Sequence, residues 1–172
     1  MGNRSLVLIC EDSREDTFLL RHAFVKAGLS HRLVDVRNGQ QAINYLSGIG
    51  LYTDRQQHPL PNLVLIDLKM PLLDGFEVLA WIQSRADLQS IPVIAVSGSN
   101  EPADIEAARK LGARDYLVKP KDWEDLIKLA RLLHDRYLAS SVACETPKPE
   151  AAFKSPGTFA RPWGSSSALS DV

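Results

Sequence analysis

The feature that most restricts the fold is a set of three runs that are apolar at nearly every position: "SLVLIC" at 5–10, "NLVLID" at 62–67 and "IPVIAV" at 91–96. A strand with one wet face alternates apolar and polar residues, because successive side chains point to opposite faces of the sheet. A run that is apolar throughout needs cover on both faces, the situation of a strand inside a parallel sheet. "RLVDV" at 32–36 and "DYLV" at 115–118 read as two further strands.

Between these runs the apolar spacing becomes helical. In 14–27, Thr17, Leu20, Phe24 and Ala27 recur at helical intervals before Gly28, and Ser13 with Asp16 three residues on has the form of a capping box. Residues 38–47 give a second helix stopped by Gly48, and 74–85 a third that is apolar at Phe76, Leu79 and Ile82. A fourth opens at Pro102 and closes at Gly112; its segment "PADIEAARKLG" is poor in large apolar groups and is expected to be lightly held. The fifth starts at Trp123 and places Trp123, Ile127, Ala130, Leu133 and Tyr137 along one face. Five β–α units in strict alternation imply an α/β fold, a doubly wound five-stranded parallel sheet with helices on both faces. Residues 49–61 form a longer connection than such a unit needs. From Ser140 the composition turns to Ser, Pro, Gly and Thr, which predicts a domain over 1–139 and a disordered tail over 140–172.

Charge and cysteine usage narrow the function classes. With 20 basic and 21 acidic residues the net charge is −1, so no global field favours nucleic acid or an anionic membrane. No early apolar run reaches membrane-spanning length, and "LVLIC" is followed at once by acids. Cys10 in an apolar stretch and Cys144 in a polar one do not suggest a structural disulfide. A cytoplasmic location is expected.

In a doubly wound sheet, ligands collect at the carboxyl ends of the strands. There the first strand presents Glu11-Asp12, the third Asp67, the fourth Ser97-Gly98 and the fifth Lys119-Pro120. Singly, each has a bland explanation: an Asp after a strand is ordinarily a helix cap, a Lys before Pro a solvated loop residue, a Ser-Gly a turn. Their convergence on one rim is what calls for a function. Three crowded carboxylates raise one another's pKa unless a cation sits among them, and an oxygen-only donor set favours Mg²⁺ over zinc or copper. The loop "CEDSRED" is acidic where a nucleotide site would be glycine-rich. An Asp nucleophile, a divalent cation, a Lys and a hydroxyl are the groups that phosphoryl transfer to a carboxylate requires.

"CED" after the first strand, "LIDLKMPLLDGFEVL" around Asp67, "AVSGS" after the fourth strand and "YLVKP" at the fifth resemble the receiver domain of two-component response regulators, over about residues 5–138. The resemblance implies a flavodoxin-like sheet of order 2-1-3-4-5 and a chain that accepts a phosphoryl group rather than an enzyme with an outside substrate. It implies Asp67 as phospho-acceptor, Asp12 as a direct Mg²⁺ ligand with Glu11 assisting, and the backbone carbonyl of Lys69 as a further ligand. Ser97 and Lys119 would hold the phosphoryl group, and Tyr116 would be the aromatic switch. Lys119-Pro120 is where receivers usually hold a cis peptide bond. Glu11 stands where Asp is common and Ser97 where Thr is frequent; neither change removes a required group. The long 49–61 connection resembles the small single-domain receivers that partner bacterial phytochromes. A histidine kinase, of the phytochrome type, or a phosphotransfer protein is the implied partner, and the face of the fourth helix, fifth strand and fifth helix the implied output, often through a homodimer. No DNA-binding or catalytic domain is expected within these residues.

Three other readings meet the same residues. A Mg²⁺-dependent phosphohydrolase usually has a second acid two residues after its nucleophile, where Lys69 stands. A flavodoxin-like electron carrier would need a hydroxyl- and glycine-rich first loop in place of "EDSRED". A scaffold of the same fold without phosphorylation would not need this complete set of groups. His22, His31, His58 and His134 are expected on the solvated surface, and Trp81 and Trp123 as core or half-buried anchors. Phe153, Phe159 and Trp163 in the tail are candidates for docking residues.

Overall fold

The computed structural model describes residues 4–139; Cys144, the tail and its three aromatics lie outside them. Five strands, β1 (Leu6–Cys10), β2 (Arg32–Val36), β3 (Leu63–Ile66), β4 (Val93–Ser97) and β5 (Asp115–Val118), pair in parallel in the order β2-β1-β3-β4-β5. Every residue of β1, β3 and β4 is buried, whereas the edge strands β2 and β5 are partly open. The three uninterrupted apolar runs are thus the three central strands. Alternation along them feeds two cores: Val7, Ile9, Leu63, Leu65, Ile94 and Val96 pack with one set of helices, Leu8, Cys10, Val64, Ile66 and Ala95 with the other. At roughly 1.5–3 kcal/mol per large side chain removed from water, this double burial is the main source of stability.

Helices α1 (Arg14–Lys26) and α5 (Trp123–Leu133) cover one face, where Leu20, Phe24, Leu129 and Leu133 join the first core. Helices α2 (Gly39–Ser47), α3 (Gly75–Gln83) and α4 (Pro102–Lys110) cover the other. α4 buries Ala108 alone, in keeping with its small residues. No described helix is long and apolar enough to cross a membrane.

The connection 49–61 contains one 3-10 turn, Gly50–Tyr52. Arg55 fastens it to the end of α2, donating to the carbonyls of Tyr45 (2.8 Å), Leu46 (2.6 Å) and His58 (3.1 Å). Tyr45 and Leu46 lie in the last turn of α2, whose carbonyls a helix end leaves without an intrahelical partner.

Four expectations need correction. The α1 capping box is only half formed: Asp16 N donates to Ser13 Oγ (3.1 Å), but Ser13 N donates to Glu11 Oε1 (3.1 Å). No peptide bond among the described residues is cis, so Lys119-Pro120 is trans, the isomer an X–Pro amide itself favours. His31, His58 and His134 are half-buried rather than solvated, each packed against an aromatic ring. Trp81 is half-buried as expected, but Trp123 is 38% exposed and lies against His22.

Candidate functional site at the carboxyl edge of the sheet

Backbone pairing carries the site residues one step past their strands. Glu11 N donates to Val36 O (3.0 Å), Asp67 N to Cys10 O (2.9 Å) and Lys119 N to Ser97 O (2.8 Å). Each extends a ladder, so the residues after β1, β3 and β5 are fixed by sheet geometry rather than by loop conformation. All the acids and the lysine read from the sequence as one rim are brought together. Lys119 Nζ lies 2.6 Å from Glu11 Oε2, 2.6 Å from Asp67 Oδ2 and 2.9 Å from Asp16 Oδ2. Glu11, Asp12 and Asp67 each offer a carboxylate oxygen, all within 4.8 Å of one another. Glu11 and Asp67 are buried, while Asp12 is exposed.

Burial pushes the Glu11 carboxyl above its usual range, more than the Lys119 ammonium and the Ser13 amide pull it down. Burial also works against the Lys119 charge, but hydrogen bonds to Asp67, Glu11 and Asp16 outweigh it and hold the ammonium above the ordinary lysine value. Lys119 therefore stays charged across the physiological range. A hard divalent cation fits this donor set: the three carboxylates are oxygen ligands at close quarters, and one ammonium cannot neutralise them.

The segment after Asp67 is held from both ends. Lys69 N donates to Asp67 Oδ1 (3.1 Å), and Asp74 and Glu77 form a complete capping box at the start of α3. Gly75 N donates to Leu68 O (3.1 Å), an approach so close that a Cβ there would sit 2.3 Å from the Asp67 carbonyl oxygen. Gly39 at the start of α2 donates to Leu73 O (3.1 Å), and a Cβ there would be 2.4 Å from that oxygen. Between these anchors Leu72 takes a left-handed φ of 69° with its side chain in water.

On the opposite side, Ser97 is fully buried and its Oγ accepts from Ser99 N (3.3 Å). The Tyr116 hydroxyl donates to Ser99 O (2.8 Å), which ties β5 to the loop after β4. Sequence reading did not foresee Asp16 as a partner of Lys119, nor Gly39. Asp16 could have been found by asking which acids in the first turn of α1 face the same rim; Gly39 left no signal, because its constraint comes from a loop distant in sequence.

A family model described as the response regulator receiver domain matches residues 7–131. The response regulator Rcp1 of Synechocystis sp. is 34% identical over 133 residues, covering 77% of this chain and 88% of Rcp1. The Mn(2+)-bound form of Rcp1 matches with a TM-score of 0.71 at 32% identity, covering 83% of this chain and 99% of that one. The phosphorylated cyanobacterial phytochrome response regulator RcpA matches with a TM-score of 0.74 at 30% identity, covering 81% and 98%. A response regulator in red light signaling of R. palustris gives 0.75 at 32% identity, covering 82% and 99%.

Proposed function

This chain belongs to the response regulator receiver family, and from that premise we propose that Asp67 accepts a phosphoryl group from the phosphohistidine of a kinase or phosphotransfer protein. The observation that carries this reading is the buried Asp67 carboxylate at 2.6 Å from the Lys119 ammonium, on the rim that also bears Glu11, Asp12 and Ser97. An Asp67 oxygen attacks phosphorus in line with the donor's P–N bond. The O–P bond forms as the P–N bond breaks, and the imidazole leaves with the bonding pair.

The Lys119 ammonium, no longer needed by a bare Asp67 carboxylate, pairs with the phosphoryl oxygens, and the Ser97 hydroxyl turns to donate to them. Glu11, Asp12 and Asp67, with the Lys69 carbonyl, would hold Mg²⁺, which when bound neutralises charge on the transferring oxygens. The Mn(2+)-bound form of Rcp1 supports a divalent ion in such a site. Movement of Ser97 would disturb Ser99 and the Tyr116 bond to it, and α4, holding one buried residue, is the element freest to follow. The face of α4, β5 and α5 is then the output surface, open to a partner or a second copy. A phytochrome-type kinase as donor is supported by the likeness to RcpA and to the R. palustris protein.

The deciding experiment is intact mass after incubation with a small phosphoryl donor and Mg²⁺, for wild type and Asp67→Ala. One added phosphoryl group that needs both the ion and Asp67 is expected. No adduct, with beryllofluoride also failing to bind, would leave a scaffold that uses the fold without its chemistry.

A further inference from the structure

Helices α1 and α3 each begin with a side chain that accepts from the amide of an acid three positions later, and the two acids are used differently. In α3 both halves of the box close: Glu77 N donates to Asp74, and Asp74 N donates to Glu77 Oε2 (2.9 Å). In α1 the amide that should reach Asp16 is taken by Glu11, and the Asp16 carboxylate instead crosses to Lys119 at 2.9 Å. Its side chain is 44% exposed, against 8% for Glu11 and 9% for Asp67. Asp16 therefore stands at the mouth of the site, holding the same ammonium that a phosphoryl group must recruit.

Resting on the phospho-acceptor reading, we propose that Asp16 is a positioning residue that restrains Lys119 and limits how readily the site takes up phosphoryl anions. Three carboxylates, Glu11, Asp16 and Asp67, contact the Lys119 ammonium, and Asp16 is the one outside the cation-holding group of Glu11, Asp12 and Asp67. It raises the negative potential that favours a cation and opposes an incoming anion. It also gives Lys119 a partner that must be given up when the ammonium turns to the phosphoryl oxygens. A residue that merely shaped the helix start would do neither.

The two effects have opposite signs, and that is what makes the role testable. Mg²⁺ affinity by calorimetry, beryllofluoride affinity at saturating Mg²⁺, and phosphorylation rate with acetyl phosphate would be measured for wild type, Asp16→Asn and Asp16→Glu. Asp16→Asn is expected to bind Mg²⁺ about threefold more weakly and beryllofluoride about fivefold more tightly, with phosphorylation faster by a similar factor. These differences should shrink at about 0.5 M salt, and Asp16→Glu should stay near wild type. Equal urea midpoints would show that the variants fold alike. A wild type that takes up no phosphoryl group overturns the phospho-acceptor reading and this proposal with it. A competent wild type whose Asn variant is equal or slower overturns the role of Asp16 alone.

Discussion

A methyl group at Gly75 would overlap the Asp67 carbonyl oxygen at 2.3 Å and Leu68 Cα at 2.7 Å, both backbone atoms with nowhere to go. Gly75→Ala is expected to cost about 2–3 kcal/mol by urea denaturation and to slow phosphoryl uptake, because relief of the overlap must displace Asp67 or the start of α3. Unchanged stability with normal uptake would mean the loop is softer than its hydrogen bonds imply. The sequence places the start of the third helix at Asp74, since an acid followed by glycine before an apolar period is a local signal. It does not show that the glycine is needed for contact with Asp67. Leu72 shows the same limit from the other side: a β-like or helical φ is the default for leucine, and its φ of 69° follows from anchoring at both ends of the loop.

At the scale of elements, periodicity in α5 found the buried face, since Ile127, Ala130, Leu133 and Tyr137 all pack into the first core, but not the helix type beyond Leu133. The apolar spacing from Trp123 to Tyr137 reads as one face, yet the α-helix gives way at Leu133 to a π-helical turn, His134–Leu138. The wider turn shifts the register, so that Leu138 is buried and the Tyr137 hydroxyl reaches Asp115 Oδ2 (3.2 Å). The Tyr137 hydroxyl is pushed up to about 12, by burial first and then by the Asp115 charge. The same turn sets His134 Nδ1 against His31 Nε2 at 2.9 Å, joining the end of α5 to the start of β2. Burial, and then the charge of His134, lower the His31 pKa below its ordinary value. In the window between that lowered value and the unfolded one of about 6.5, the unfolded chain binds more protons, so stability rises with pH there. Stability should therefore fall as pH drops through about 6.5 and level off below the folded pKa. Urea midpoints at pH 8 and pH 5 would check this; an unaltered pH slope in His31→Gln would dismiss the pair as its source.

For the molecule as a whole, the central question is what balances the acids at the sheet edge. Lys119 neutralises part of their charge, and the three that lie within 4.8 Å of one another still repel. Mg²⁺ is expected to raise the melting temperature, with stabilisation approaching about 2.7 kcal/mol at a hundredfold excess over its Kd. Asp12→Ala should flatten the response; melts that coincide in Mg²⁺ and in a chelator would remove the ion from the account. The sequence by itself determined the elements, the choice of β1, β3 and β4 as interior strands, and the set of acids, hydroxyl and lysine that would share one rim. Those features follow from neighbours a few residues apart, where periodicity and capping operate. Only the tertiary structure decided how that set is wired. Lys119 meets Asp67 across 52 residues of chain and Asp16 across 103, and which acid claims the ammonium depends on strand order and side-chain reach, which no local pattern encodes.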